Sequence, residues 1–71
     1  MKKVFINDEF ITLSQFLKME DFISSGGQAK FFLQEEQVFL NGQLENRRGK
    51  KLYKDNIVKI FDKEYLITNE D

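Results

Sequence analysis

Two signatures of helix initiation stand close together in this sequence, and they limit its fold more than any other feature. In "TLSQFLK", Thr12 is an N-cap whose hydroxyl can accept a backbone N–H, while Gln15 can reach back to the Thr12 N–H. Leu13, Phe16 and Leu17 then share one helical face. "SSGGQAKFFLQEE" repeats the device with Ser25 as N-cap, Gln28 as its partner, and Ala29, Phe32 and Leu33 on one face. Gly26 and Gly27 allow a tight approach and leave room beside the second helix. The first helix has no clean stop signal between Lys18 and Phe22. Two helices joined by so short a connection must pack at an angle, as a helix-turn-helix-like pair.

Strand signals flank the pair. "KVFI-ND-EFIT" predicts two short strands joined at Asn7-Asp8, and "QVFL-NG-QLEN" predicts a hairpin with Asn41-Gly42 in a type I′ turn. "IVKIF-DK-EYLIT" predicts a closing pair turning at Asp62-Lys63, with Ile57, Val58, Ile60, Phe61, Tyr65, Leu66 and Ile67 available to the core. The expected product is a single α+β domain over residues 1–71, with two adjacent helices on a small antiparallel sheet. With 71 residues and neither Cys nor His, that core has no disulfide or structural zinc to support it. Aliphatic side chains and eight Phe must supply it.

Charge is distributed unevenly. The segment "NRRGKKLYK", Asn46 to Lys54, holds five of the eleven cations and no acid, so a net charge of −1 divides into +5 here and −6 elsewhere. Crowded Lys and Arg release counterions from a phosphate backbone, and the acidic remainder opposes indiscriminate coating of nucleic acid. If the strand runs on through Arg47 and Arg48, those side chains leave on opposite faces, and Gly49 lets the following lysines fan out. Phe31 lies beside Phe32 and Phe39 between Val38 and Leu40, so periodicity places one of each set away from the main core face. Most Phe in so short a chain are core, and an exposed Phe31 or Phe39 could stack on a base.

Other chemistry is poorly supplied. A chain without His and Cys lacks the commonest general base and the best nucleophile, and the pairs Asp8-Glu9, Glu20-Asp21 and Glu35-Glu36 read as solvated faces. No enzyme activity, metal or cofactor is expected. "SGGQAK" offers free N–H groups at a helix start but is not a Walker motif. The start "MKKVFINDEF" lacks the long apolar stretch of a signal peptide, and no run suits a membrane span, which makes the cytoplasm the expected compartment. A monomer is expected from the small size and mixed surface charge.

Taken together, "FLK", "SGGQAK", "V-x-L-N-G" and "RRGKKL" followed by "D-N-I-V" resemble the S4 RNA-binding domain, in its short stand-alone bacterial form, the YaaA-like and YbcJ-like S4-domain proteins. The likeness runs from Thr12 to Ile60. It implies the S4-type (alpha-L) fold, and a surface for structured RNA made by the helical pair and the adjoining strand loop. By position, the implied contacts are Lys18, Ser25, Gly26, Gln28 and Lys30, then Asn41 and Gly42, then Arg47, Arg48, Lys50 and Lys51. Gly42 and Gly26 would act through backbone shape. Many S4 domains carry Arg where this chain has "SGG", and Glu20 and Asp21 near the surface would oppose binding. The implied role is non-catalytic binding of ribosomal RNA of the large subunit, in assembly or quality control. The alternative is a protein adaptor whose basic loop meets an acidic partner.

Overall fold

The computed structural model describes residues 1–69. Its elements are β1 (Lys2–Phe5), β2 (Phe10–Thr12), α1 (Leu13–Met19), a 3-10 turn (Gly26–Gln28), α2 (Ala29–Glu35), β3 (Val38–Leu40), β4 (Gln43–Leu44), β5 (Lys51–Tyr53), β6 (Ile57–Ile60) and β7 (Lys63–Thr68). The two helices and the β3–β4 hairpin form where local signals place them. Asn41 (φ 50°) and Gly42 (φ 85°) both take the left-handed backbone that a type I′ turn requires.

The sheet is mixed, not purely antiparallel. Five strands lie in the order β1-β7-β6-β3-β4, with β1 parallel to β7, while β2 and β5 form a separate antiparallel pair. Asn7-Asp8 therefore does not close a hairpin between β1 and β2. Val4 of β1 lies beside Ile67 of β7, and both are buried, whereas Ile11 of β2 lies beside the buried Leu52 of β5. Each strand thus covers a different part of the core, which a hairpin between them would not allow.

The last turn is displaced by one residue. Phe61 (φ 52°) and Asp62 (φ 66°) form it, because Val58 and Ile60 must face inward beside Tyr65 and Lys63 in the register of β6 on β7. Phe61 is accordingly 57% exposed instead of lying in the core, although its ring rests on Phe22 and Phe32 at 6.1 and 6.3 Å. Leu13, Phe16, Leu17, Ala29 and Leu33 from the helices join the strands' buried residues in one cluster. Phe16 meets Tyr65 edge-on at 5.2 Å, fixing α1 to β7.

Helix α1 stops by a Schellman motif without glycine. The Asp21 N–H donates to the Lys18 carbonyl and the Phe22 N–H to the Leu17 carbonyl, with Asp21 left-handed at φ 62°. Asp tolerates that backbone better than most side chains, which is why "MEDF" ends a helix that no Gly or Pro marks. Glu20 at the helix end then meets Lys2 of β1 at 2.8 Å, and their hydrogen bond raises the Lys2 pKa.

Candidate nucleic-acid interface

The basic segment is anchored to the first turn of α1. A helix start has N–H groups with no partner inside the helix, and here three of them are satisfied in order. Leu13 N–H donates to the Lys50 carbonyl (2.8 Å), Ser14 N–H to the Arg48 carbonyl (2.9 Å), and Gln15 N–H to the Thr12 hydroxyl (3.2 Å). Gln15 Oε1 returns the bond by accepting from the Thr12 N–H at 2.8 Å. The peptide oxygens of the basic loop thus serve the helix, and the loop backbone is held against the start of α1.

Both ends of the loop are also pinned. Glu45, 8% exposed, accepts from the Arg47 N–H (3.1 Å), Nε (2.8 Å) and Nη2 (3.1 Å). The Arg47 hydrogen bonds hold the Glu45 carboxyl below its usual pKa against the opposing effect of burial, and the Arg47 pKa is raised in turn. At the far end β5 pairs with β2, Thr12 lying beside Lys51, and Lys51 Nζ stands 4.7 Å over the Phe10 ring. The strand expected to run through Arg47 and Arg48 ends at Leu44 instead, and residues 45–50 form a loop shaped by these contacts.

An open groove runs between α2 and this loop. Lys30, Leu33 and Gln34, with Glu35, Glu36 and Gln37 at the end of α2, line one wall, and Leu44, Glu45, Asn46 and Arg48 the other. The cations Lys30 and Arg48 therefore share the groove with acids at its α2 end. Lys30 and Arg48, separated by eighteen positions in sequence, therefore face a common space. Among the described residues, Lys30, Arg48 and Lys50 have no ion-pair partner. On the other side of the loop, Asn41 shares a shallow depression with Arg47 and Lys50, and Arg47, Gly49, Lys50, Lys51 and Tyr53 line another.

A family model described as "S4 domain" matches residues 4–68. The chain belongs to the S4 domain family. It is also 54% identical over 55 residues, 78% of each chain, to a protein of Bacillus subtilis (strain 168) named "Probable ribosome maturation protein RlbA". The α+β architecture of two helices and a small mixed sheet agrees with that membership.

Within this S4 domain the residues singled out from sequence, Arg47 apart, fall into four groups. Lys30, Arg48, Lys50 and Lys51 gather around the anchored loop and its groove. Ser25, Gly26 and Gln28 are exposed in the approach to α2, where Gln28 Oε1 accepts from the Ser24 N–H at 2.6 Å and the Ser24 hydroxyl at 3.0 Å. Gly42 is shaped by its turn, and Asn41 Oδ1 accepts from the Ile57 N–H at 2.8 Å, binding β3 to β6. Lys18 lies on the last turn of α1, at the opposite end of that helix from the basic loop.

Three expectations are corrected. Gly26 and Gly27 lack positive φ, and an added Cβ would meet only Ser14 Oγ at 3.6 Å or nothing within 4 Å, so backbone shape does not demand glycine there. Glu20 is paired with Lys2, and both Glu20 and the exposed Asp21 stand at the end of α1 away from the basic loop, so neither is set against it. Arg47 is committed to Glu45, which the absence of acids within Asn46–Lys54 concealed. Glu45 and the Ser14 N–H are the functional groups that sequence reading missed. The spacing "E-x-R" was the one visible signal for the first.

Proposed function

We propose that the protein binds structured RNA without catalysis and serves in ribosome maturation. The observation that carries this reading is the anchoring of the loop on α1, which holds Arg48 across a groove from Lys30. A loop backbone already held in place presents its cations to RNA phosphates at a lower ordering cost than a free segment would. Duplex RNA is read chiefly by shape and backbone, its deep major groove being closed to side chains. The basic surface suits that mode, with Lys50 and Lys51 extending it, Ser25, Gly26, Gln28, Asn41 and Gly42 around it, Arg47 shaping the loop through Glu45, and Lys18 contributing long-range charge. Family membership supports an RNA partner and the relative named for ribosome maturation supports a ribosome-related one; ribosomal RNA of the large subunit is the target we propose. On this reading the chain works in the cytoplasm as a monomer, one domain over residues 1–71, and needs no cofactor.

Crosslinking in cells, with Lys30→Glu/Arg48→Glu beside the wild type, tests it. Reads concentrated on one ribosomal RNA helix and lost in the folded variant are expected. Background reads from both would overturn the RNA reading in favour of the adaptor.

A further inference from the structure

Phe31 is a mostly exposed aromatic side chain that lies outside the core cluster. It sits on α2 between Lys30 and Phe32, is 64% exposed, and among the described residues no other ring lies against it. Its neighbour Phe32 does the packing, with Phe22 at 5.5 Å and Phe61 at 6.3 Å. Exposed Tyr53 at least meets Phe10, at 5.8 Å. Phe5 is half-exposed too, but β1 lies at the opposite edge of the sheet from β4, which leads into the basic loop.

Position on the helix gives the exposure a meaning. Successive residues are about 100° apart around an α-helix. With Ala29 and Leu33 turned to the core and Lys30 and Gln34 lining the groove, Phe31 stands on the solvent ridge beside that groove. Helical side chains lean over the turn before them. That turn holds Gly27, which has no side chain to cover the ridge. Phe is a poorer helix former than Leu or Lys, and an exposed ring gains nothing from burial.

We propose that Phe31 is a stacking platform for one unpaired base, set beside phosphates held by Lys30 and Arg48. The inference rests on the RNA-binding reading and narrows its ligand to structured RNA with a bulged or looped-out nucleotide next to a helix. Lys30 and Phe31 are adjacent on α2 and about 100° apart around it, so a phosphate on Lys30 and a base on Phe31 would lie on neighbouring faces of the same helix. Base stacking on an aromatic side chain tolerates any base; the site selects for an unpaired nucleotide, not a sequence.

Two RNA hairpins, identical except for a single bulged 2-aminopurine, test this. The wild type is expected to bind the bulged hairpin about five- to a hundredfold more tightly and to quench its fluorescence. Phe31→Ala and Phe31→Leu should lose both effects while keeping affinity for the plain hairpin, and Phe31→Trp should keep both. Unchanged circular dichroism and Tm would show the variants folded. Equal preference and quenching by wild type and Phe31→Ala would overturn the stacking site while leaving RNA binding in place. Failure of the wild type to bind either hairpin would overturn the RNA reading and the stacking site together.

Discussion

Glu45 holds Arg47 through both of its carboxylate oxygens, Oε2 at 2.8 Å from Nε and Oε1 at 3.1 Å from Nη2, while also accepting the Arg47 backbone N–H. A buried acid in the middle of a basic surface works against long-range attraction of RNA. It also fixes the bend from which Arg48 and Lys50 proceed to their carbonyl contacts on α1. The two effects have opposite signs, and a substitution separates them.

Glu45→Gln removes a negative charge beside the RNA face, yet it is expected to weaken binding several-fold because the loop loses its charge-assisted clamp. Titration of a ribosomal RNA fragment, paired with amide exchange across residues 45–50, checks this. Tighter binding with unchanged exchange would show that Glu45 only repels.

The same pair predicts acid sensitivity. Hydrogen bonds from Arg47 depress the Glu45 pKa from its ordinary 4.5, so the folded state binds that proton less readily than the unfolded chain. The pair's contribution is complete at neutral pH, declines as pH falls below about 4.5, and is gone below the depressed value. The Tm difference between wild type and Glu45→Gln should therefore be present at pH 7 and vanish in acid; a constant difference would contradict the assignment.

Lys30→Glu and Arg48→Glu should each leave Tm within a few degrees, because both side chains are exposed. Each should weaken RNA binding and lower the slope of log K against log salt by about one unit. An unchanged slope in both variants would remove them from the phosphate-binding set.

Asp21 occupies the left-handed position of the Schellman motif. Asp21→Val is expected to cost about 1–2 kcal/mol, and Asp21→Gly to gain about 0.5 kcal/mol as reduced strain outweighs added chain freedom. Urea denaturation of the two variants orders them; equal midpoints would mean the chain ends α1 in another way.

Asn41→Ala loses the side-chain acceptor for the Ile57 N–H and places Ala at positive φ. A loss of about 1–3 kcal/mol is expected, with Asn41→Asp retaining most of the stability. If RNA affinity falls in Asn41→Ala only in proportion to the unfolded fraction, Asn41 acts through the fold.

What could be read along the chain is what neighbouring residues settle between themselves. Thr12 and Gln15 are one helical turn apart, so their capping box is specified locally wherever the helix forms. Asn41-Gly42 supplies the left-handed pair that a hairpin turn requires, and "SGGQAK" with "RRGKKL" carried the family resemblance. Even the local code failed where two outcomes were close in energy. Asp62-Lys63 makes an acceptable turn, and the turn moved to Phe61-Asp62 because burial of Val58, Ile60, Tyr65 and Ile67 fixes the register more strongly than turn preference does.

Tertiary structure alone decided the rest, because the partners are distant in sequence and each short strand could have paired with several others. Val4 beside Ile67 makes β1 parallel to β7, and Ile11 beside Leu52 takes β2 away from β1. That second pairing carries the basic segment to α1, where the helix's unpaired N–H groups find the carbonyls of Arg48 and Lys50. The sequence by itself determined that this chain would be basic at one place and helical at two. Only folding brought Lys30 and Arg48 to one groove, since that meeting depends on satisfying backbone donors at Leu13 and Ser14 that no pattern of side chains announces.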